Sequence, residues 1–375
     1  MKRGAWLLLL MLLAGAAAAE VQIFNPQDKL RTFDEIVMLR GKITPPAGVK
    51  VETISLPAQS DGAFDCGLVL RPGKNLVVIG GGTEEARLRV LRLLTFPDVE
   101  MTEESKPHWA RGQIAYLATL GIVEGYPDGN FYPGNPVTRG EFATWLAKAE
   151  QLPVPTLTRD VFFDVPKEHW RAPYIKAATD AGFVAPASPA MFGLDDPLAR
   201  GEVIALVRSK GLVSGEVKEV PEDDRSLSRA EAAALISHFA ATEASVHRLS
   251  DFDEGYTDDR YCGVNVAPAV TAFTAAPEEI SLKQQTSLKL RATVASRESF
   301  APVSLVKVNL AQLGGAADAE MFDDATHGDE TAGDGIYSLN ISFQPKSTGE
   351  KVLEVTVTDR LGWEGKKSTS ILIVE

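Results

Sequence analysis

An internal repeat constrains this chain more than any other feature. His108-Trp109 recurs as His169-Trp170, Gly121 as Gly182, and Arg139-Gly140-Glu141 as Arg200-Gly201-Glu202, each at an offset of 61 residues. Phe96-Pro97-Asp98-Val99 is matched by Phe162-Phe163-Asp164-Val165 at an offset of 66, so the copies differ there by a short length change. A third, partial copy keeps Leu227-Ser228-Arg229-Ala230-Glu231. One unit of this size cannot bury its own apolar face, so the copies must pack on each other or on neighbours.

Each full copy reads as two helices around a loop. Ile114, Leu117 and Ala118 share one face between Ala110 and Leu120 at helical spacing. Gly121 supplies a left-handed stop. Gly125-Tyr126-Pro127-Asp128-Gly129 is turn chemistry. Thr138 with Glu141 is a capping box that opens the second helix. Its buried stripe is Phe142, Ala143, Leu146 and Ala147. The second copy has Ala199 at the capping position and a different loop, Phe192-Gly193-Leu194-Asp195-Asp196-Pro197. The third shows neither a first helix nor a His-Trp pair.

The series F-x-D-V, H-W, an apolar helix ending Gly-Ile, G-Y-P-D-G-x-F-x-P and T-R-x-E resembles the S-layer-homology family. The match is nearly continuous from Phe96 to about Leu152 and weaker from Phe162 to about Leu212. It covers a third to two-fifths of the chain. The resemblance implies a helical spindle of three copies that binds a cell-wall polysaccharide, often one carrying pyruvylated sugars. It also implies grooves between copies lined by Arg139, Arg200, Arg229, Asp98, Asp164, Trp109 and Trp170. The chemistry is coherent: a guanidinium fork holds a pyruvyl carboxylate, an indole faces a sugar ring, and a carboxylate accepts from hydroxyls. Structural readings stand beside these roles. Trp109 and Trp170 can be core residues, and Asp98 and Asp164 can cap helices. Glu141, Glu202 and Glu231 fit the cap better than the ligand. The arginines sit in a helix's first turn, where a cation opposes the macrodipole unless an anion is near.

Residues 20–94 read as all-β, with short strands at Val51 to Leu56, Phe64 to Leu70, Asn75 to Ile79 and Leu88 to Leu94. Asp61-Gly62-Ala63-Phe64 followed by Leu70-Arg71-Pro72-Gly73-Lys74-Asn75 resembles bacterial immunoglobulin-like domains. Gly80-Gly81-Gly82 after a strand fails as a dinucleotide loop, because Glu85 stands where the fingerprint needs its third glycine. Residues 265–375 form a second β unit with alternating Leu288, Leu290, Ala292 and Val294. Its acidic loop, from Asp323 to Gly335, also resembles a loop of bacterial immunoglobulin-like domains. There Asp323, Asp324, Asp329 and Asp334 offer hard oxygens to calcium, against a plain Asx-turn reading without metal. The expected class is thus multidomain α plus β: a central α-helical repeat array between two immunoglobulin-like β-sandwich domains. The array divides into 95–152, 162–212 and a degenerate 213–240, followed by a polar connector over 241–264.

Lys2 and Arg3, the apolar run from Trp6 to Leu13, and Ala17 and Ala19 read as a secretory signal peptide over 1–19. No later run is apolar enough to span a bilayer, so retention at a cell surface would be non-covalent. The net charge of -13 argues against nucleic-acid partners. Cys66 and Cys262 can pair after export or stay separate. The five histidines form no H-E-x-x-H set, and no P-loop or G-x-S-x-G elbow is present. The expectation is a non-enzymatic secreted protein at the cell wall, without a cofactor other than calcium. A wall-targeted glycan-active enzyme and a calcium-dependent adhesin are the alternatives.

Overall fold

A computed structural model describes residues 20–44, 46, 48–51, 54–56, 59–81, 84–101, 106–213, 217–256, 263–295 and 301–375. The expected signal peptide and Cys262 lie outside these residues. The chain is a mixed α and β structure with substantial β content.

The first β unit holds β1 (Glu20–Asn25), β2 (Leu30–Thr32), β3 (Ile36–Thr44), β4 (Val49–Val51), β5 (Ile54–Leu56), β6 (Ala63–Val69), β7 (Gly73–Gly81) and β8 (Glu84–Arg92). Period-two burial along β3 sends Val37, Leu39 and Ile43 inward. They meet Val77, Ile79, Leu88 and Val90 of a second sheet in one core, where Cys66 is also buried. The expected strand over 51–56 is instead two short strands paired antiparallel, with Val51 opposite Ile54.

Seven α-helices follow among the described residues: α1 (Pro97–Glu100), α2 (Arg111–Thr119), α3 (Arg139–Ala149), α4 (Ala172–Asp180), α5 (Arg200–Ser209), α6 (Arg229–Ser237) and α7 (Ala240–Ser250). Gly121 and Gly182 follow α2 and α4 at φ 73 and 67°, the left-handed stop read from sequence. Both Thr138 and Ser228 complete capping boxes with Glu141 and Glu231, whereas Ala199 makes no side-chain cap bond. One core joins all three copies through Trp145, Phe131, Phe142, Ile175, Phe192 and Leu235. The segment 241–264 is not merely a connector, because α7 occupies most of its first half. Leu249 and Phe252 lie with Leu91, Leu93, Ala115 and Tyr116 in a small cluster that seats the helices on the first β unit.

The chain then returns to where it left. β9 (Gly263–Asn265) pairs antiparallel with β6, so the first unit's sheets run β1-β3-β6-β9 and β2-β8-β7-β4-β5. The helices are therefore an excursion between β8 and β9. The second β unit holds β10 (Ala269–Ala276), β11 (Glu279–Ser281), β12 (Thr286–Ala295), β13 (Val303–Asn309), β14 (Ala319–Glu320), β15 (Ile336–Phe343), β16 (Gly349–Asp359) and β17 (Glu364–Val374). Its sheets run β10-β12-β15 and β11-β17-β16-β13-β14 around Leu288, Leu290, Val306, Leu353 and Val355. The two β units touch. Asn265 donates to Asp359 at 2.9 Å and accepts from the Ala301 amide at 3.0 Å. Trp363 packs directly over Gly67, where a Cβ would stand 2.5 Å from the ring.

Candidate functional site

The three copies close into a ring through their backbones. Val137 N–H donates to Leu227 C=O, Leu227 N–H to Leu198 C=O, and Leu198 N–H to Val137 C=O, at 2.8, 2.8 and 3.2 Å. Helix starts are shared in the opposite cyclic sense. Arg139 and Gly140 donate to Asp196 and Leu194, Arg200 and Gly201 to Arg225 and Asp223, and Arg229 and Ala230 to Asn135 and Pro133. Each helix thus has two first-turn amides satisfied by a neighbouring copy's loop. The third copy is a full member of the ring despite its missing features.

The arginines follow this cycle. Arg139 Nη1 donates to Glu202 Oε1 at 3.1 Å, Arg200 Nη2 to Glu231 Oε1 at 2.6 Å, and Arg229 Nη1 to Glu141 Oε1 at 2.7 Å. Each first-turn cation is offset by the third-position glutamate of the next copy's helix, which in Glu141 and Glu231, but not Glu202, also closes a capping box. That is the anion the macrodipole argument required, and it is protein rather than ligand. Arg229 departs furthest from a ligand role. Its side chain is 1% exposed, it donates to the carbonyls of Phe131 and Glu124, and its guanidinium lies among the rings of Tyr126, Phe131 and Trp145. Arg200 is held by Asp223 as well as Glu231. Arg139 is the least engaged, and its Nε is buried without a partner.

Asp98 accepts from the amides of Phe131 and Tyr132, and Asp164 from those of Phe192, Gly193 and Leu194. Both therefore brace the loop of their own copy rather than cap a helix. Burial alone would raise the Asp164 carboxyl, but the three backbone N–H groups outweigh it and hold it below the usual range. The indoles are not core residues: Trp109 and Trp170 are 53% and 51% exposed.

Around Trp170 the structure assembles a groove that the sequence comparison had not singled out. Glu124, Gly125, Tyr126, Pro127, Glu141, Trp170, Arg171 and Arg229 line a cavity of about 250 Å³ between the first copy's loop and the second copy's His-Trp. Arg171 lies over the Trp170 ring at 4.5 Å and reaches Glu124 and Glu141 at 3.5 Å. Lys148 pairs with Glu124 and sits 5.8 Å from the indole centroid. Three cations thus face two carboxylates, and Arg171 Nε has no partner. Burial holds the Tyr126 phenol above its usual range, so it stays protonated and donates to Glu141. Arg171 escaped the repeat comparison because Ala110 stands at its counterpart in the first copy. Its place beside Trp170 was the available signal.

In the second β unit, Asp323, Asp329 and Asp334 converge, with one carboxylate oxygen from each within 4.8 Å of the others. Asp324, expected with them, instead accepts from the Thr326 amide and hydroxyl.

Residues 102–143 match the family model of the S-layer homology domain. The chain carries an S-layer homology domain. A segment of 133 residues is 29% identical to the cellulosome-anchoring protein of Acetivibrio thermocellus, covering 34% of this chain and 28% of that protein. Another of 156 residues is 32% identical to S-layer protein EA1 of Bacillus anthracis, covering 40% of this chain and 16% of that one. A third of 90 residues is 34% identical to an uncharacterized cell wall amidase of Bacillus anthracis, covering 24% and 15%. The chain spans less than a third of the length of these relatives.

Proposed function

We propose that this chain is a secreted, non-catalytic, wall-associated protein that grips a cell-wall polysaccharide through the groove at Trp170. The observation that carries this reading is the half-exposed indole held between Arg171 and Lys148. An aromatic surface beside spare guanidinium donors suits a sugar bearing a carboxylate, such as a pyruvyl ketal. Trp109 offers a second exposed indole, and Arg139 a second guanidinium with a free donor. Arg200 and Arg229 hold the copies together. The β units serve as immunoglobulin-like spacers. Support also comes from the S-layer homology match and from similarity to a cellulosome-anchoring protein. Among the described residues, no helix is long and apolar enough to cross a membrane.

The test is co-sedimentation of the protein with purified wall sacculi, before and after acid removal of the secondary polymer. Binding should vanish with the polymer and fall at least tenfold in Trp170→Ala and in Arg171→Ala. Unchanged binding in both variants overturns the reading. A second reading is favoured by the similarity to a cell wall amidase: the same helices could deliver an enzyme to its wall substrate. Release of soluble wall fragments by the purified protein would support it.

A further inference from the structure

We infer that the loop 323–335 binds one divalent cation, calcium, through Asp323, Asp329 and Asp334. The deciding observation is Asp329. Only 9% of this residue is exposed, its Oδ2 accepts from the Ala325 amide at 2.7 Å, and its Oδ1 is buried without a hydrogen-bond partner. A buried carboxylate oxygen with no donor is strongly unfavourable unless a cation satisfies it. The neighbouring groups make that worse, because they are the carboxylates of Asp323 and Asp334. The basic side chains at this end of the sheet are committed elsewhere: Lys289 and Arg291 both pair with Glu330. No ion pair among the described residues reaches the three aspartates.

The rest of the loop is already in place. Asp323 accepts from the amides of Gly333, Asp334 and Gly335, and Asp334 accepts from Ile336 at the start of β15. The carboxylates are thus fixed before any ion arrives, and each keeps lone pairs to spare. An all-oxygen set without histidine or cysteine favours a hard cation over zinc. Calcium tolerates irregular geometry and completes its six to eight ligands with carbonyls and water. A cation here would join one end of the loop to the other and to the first residues of β15.

Terbium, which substitutes for calcium and is excited through a nearby aromatic ring, reads the site directly. Tyr337 lines the same cleft as Asp323 and Asp334. Added to the full chain, terbium should give strong sensitised emission. Calcium should displace it with a midpoint between about 0.1 and 1 mM, the range of extracellular modules. Asp334→Asn, at an exposed position, should abolish the emission, as should Asp329→Asn. Asp324→Asn, outside the triad, should retain it. Absence of emission, failure of calcium to compete, or equal loss in the Asp324 and Asp334 variants overturns the inference. Asp334→Asn decides the matter if the Asp329 variant does not fold.

Discussion

Replacing Arg229 by methionine should destabilise the helical array far more than the same change at Arg139. The two arginines occupy equivalent places in the ring and differ in burial. Arg229 and Glu141 are 1% and 3% exposed, and truncating the arginine leaves the buried carboxylate with only the Tyr126 hydroxyl, the Thr138 amide and the longer contact to Arg171 at 3.5 Å. Losses of this kind run to about 3–5 kcal/mol. The carbonyls of Phe131 and Glu124 lose their donors as well, while Arg171 still faces the carboxylate, which places the expected value near the bottom of that range, about 3 kcal/mol. Glu202, the partner of Arg139, is 52% exposed and can return to water, so Arg139→Met should cost no more than about 1 kcal/mol. Urea unfolding followed by circular dichroism at the helical band isolates the array, because all α-helices among the described residues lie between Pro97 and Ser250. The double variant Arg229→Met with Glu141→Gln should recover part of the loss. It removes the charge that has lost its nearest cation, and glutamine still fits the capping box. If Arg229→Met falls within 1 kcal/mol of Arg139→Met, the ring of ion pairs is not what closes the spindle.

Other outcomes follow from the same geometry. Ala199→Ser supplies the missing hydroxyl at the start of α5 and should stabilise the array by about 0.5–1 kcal/mol, whereas Ser228→Ala should lose about 1 kcal/mol, both read from urea midpoints. Burial depresses the pKa of both His108 and His169, with Arg171 adding to the effect at His169. The unfolded chain therefore binds protons first. Stability is full above the unfolded histidine value of 6.5 and falls as pH drops through the depressed folded values. Melting temperatures from pH 7.5 to 5 should show this decline, and His108→Gln with His169→Gln should flatten it. Gly67→Ala drives a methyl into Trp363 and should weaken the first β unit by about 1–3 kcal/mol in urea unfolding at the strand band.

What the sequence made legible was local. The helix starts at Thr138 and Ser228 and the stops at Gly121 and Gly182 are written within a few residues, and each stands where the pattern put it. The turn before Phe131 and the strand period of β12 were equally plain. The partners of Arg139, Arg200 and Arg229 lie 63, 31 and 88 residues away, in a different copy each time, so nothing near them in sequence identified the anion. The third copy looked like a remnant because its first helix and His-Trp pair are missing. Ring closure needs neither: it uses the backbone at Leu227 and the cap at Ser228. β9 was invisible because three residues show no periodicity and their partner, β6, lies about 200 residues earlier. In the acidic loop, four aspartates looked equivalent as oxygen donors. Only the fold separates Asp324, turned to Thr326, from the buried Asp329.

The return of the chain at β9 bears on how load travels through the molecule. Tension entering from the second β unit meets β9 first, and there it divides. One branch runs on along the chain toward α7. The other crosses the β6–β9 ladder into the first β unit and reaches the opposite end of the helices through β8, next to the contact of Leu91 and Leu93 with Ala115. The helices are held at both ends by the first β unit, as in a bracket. A pull on the second unit therefore bears on the spindle as a whole instead of peeling α7 away as a loose end.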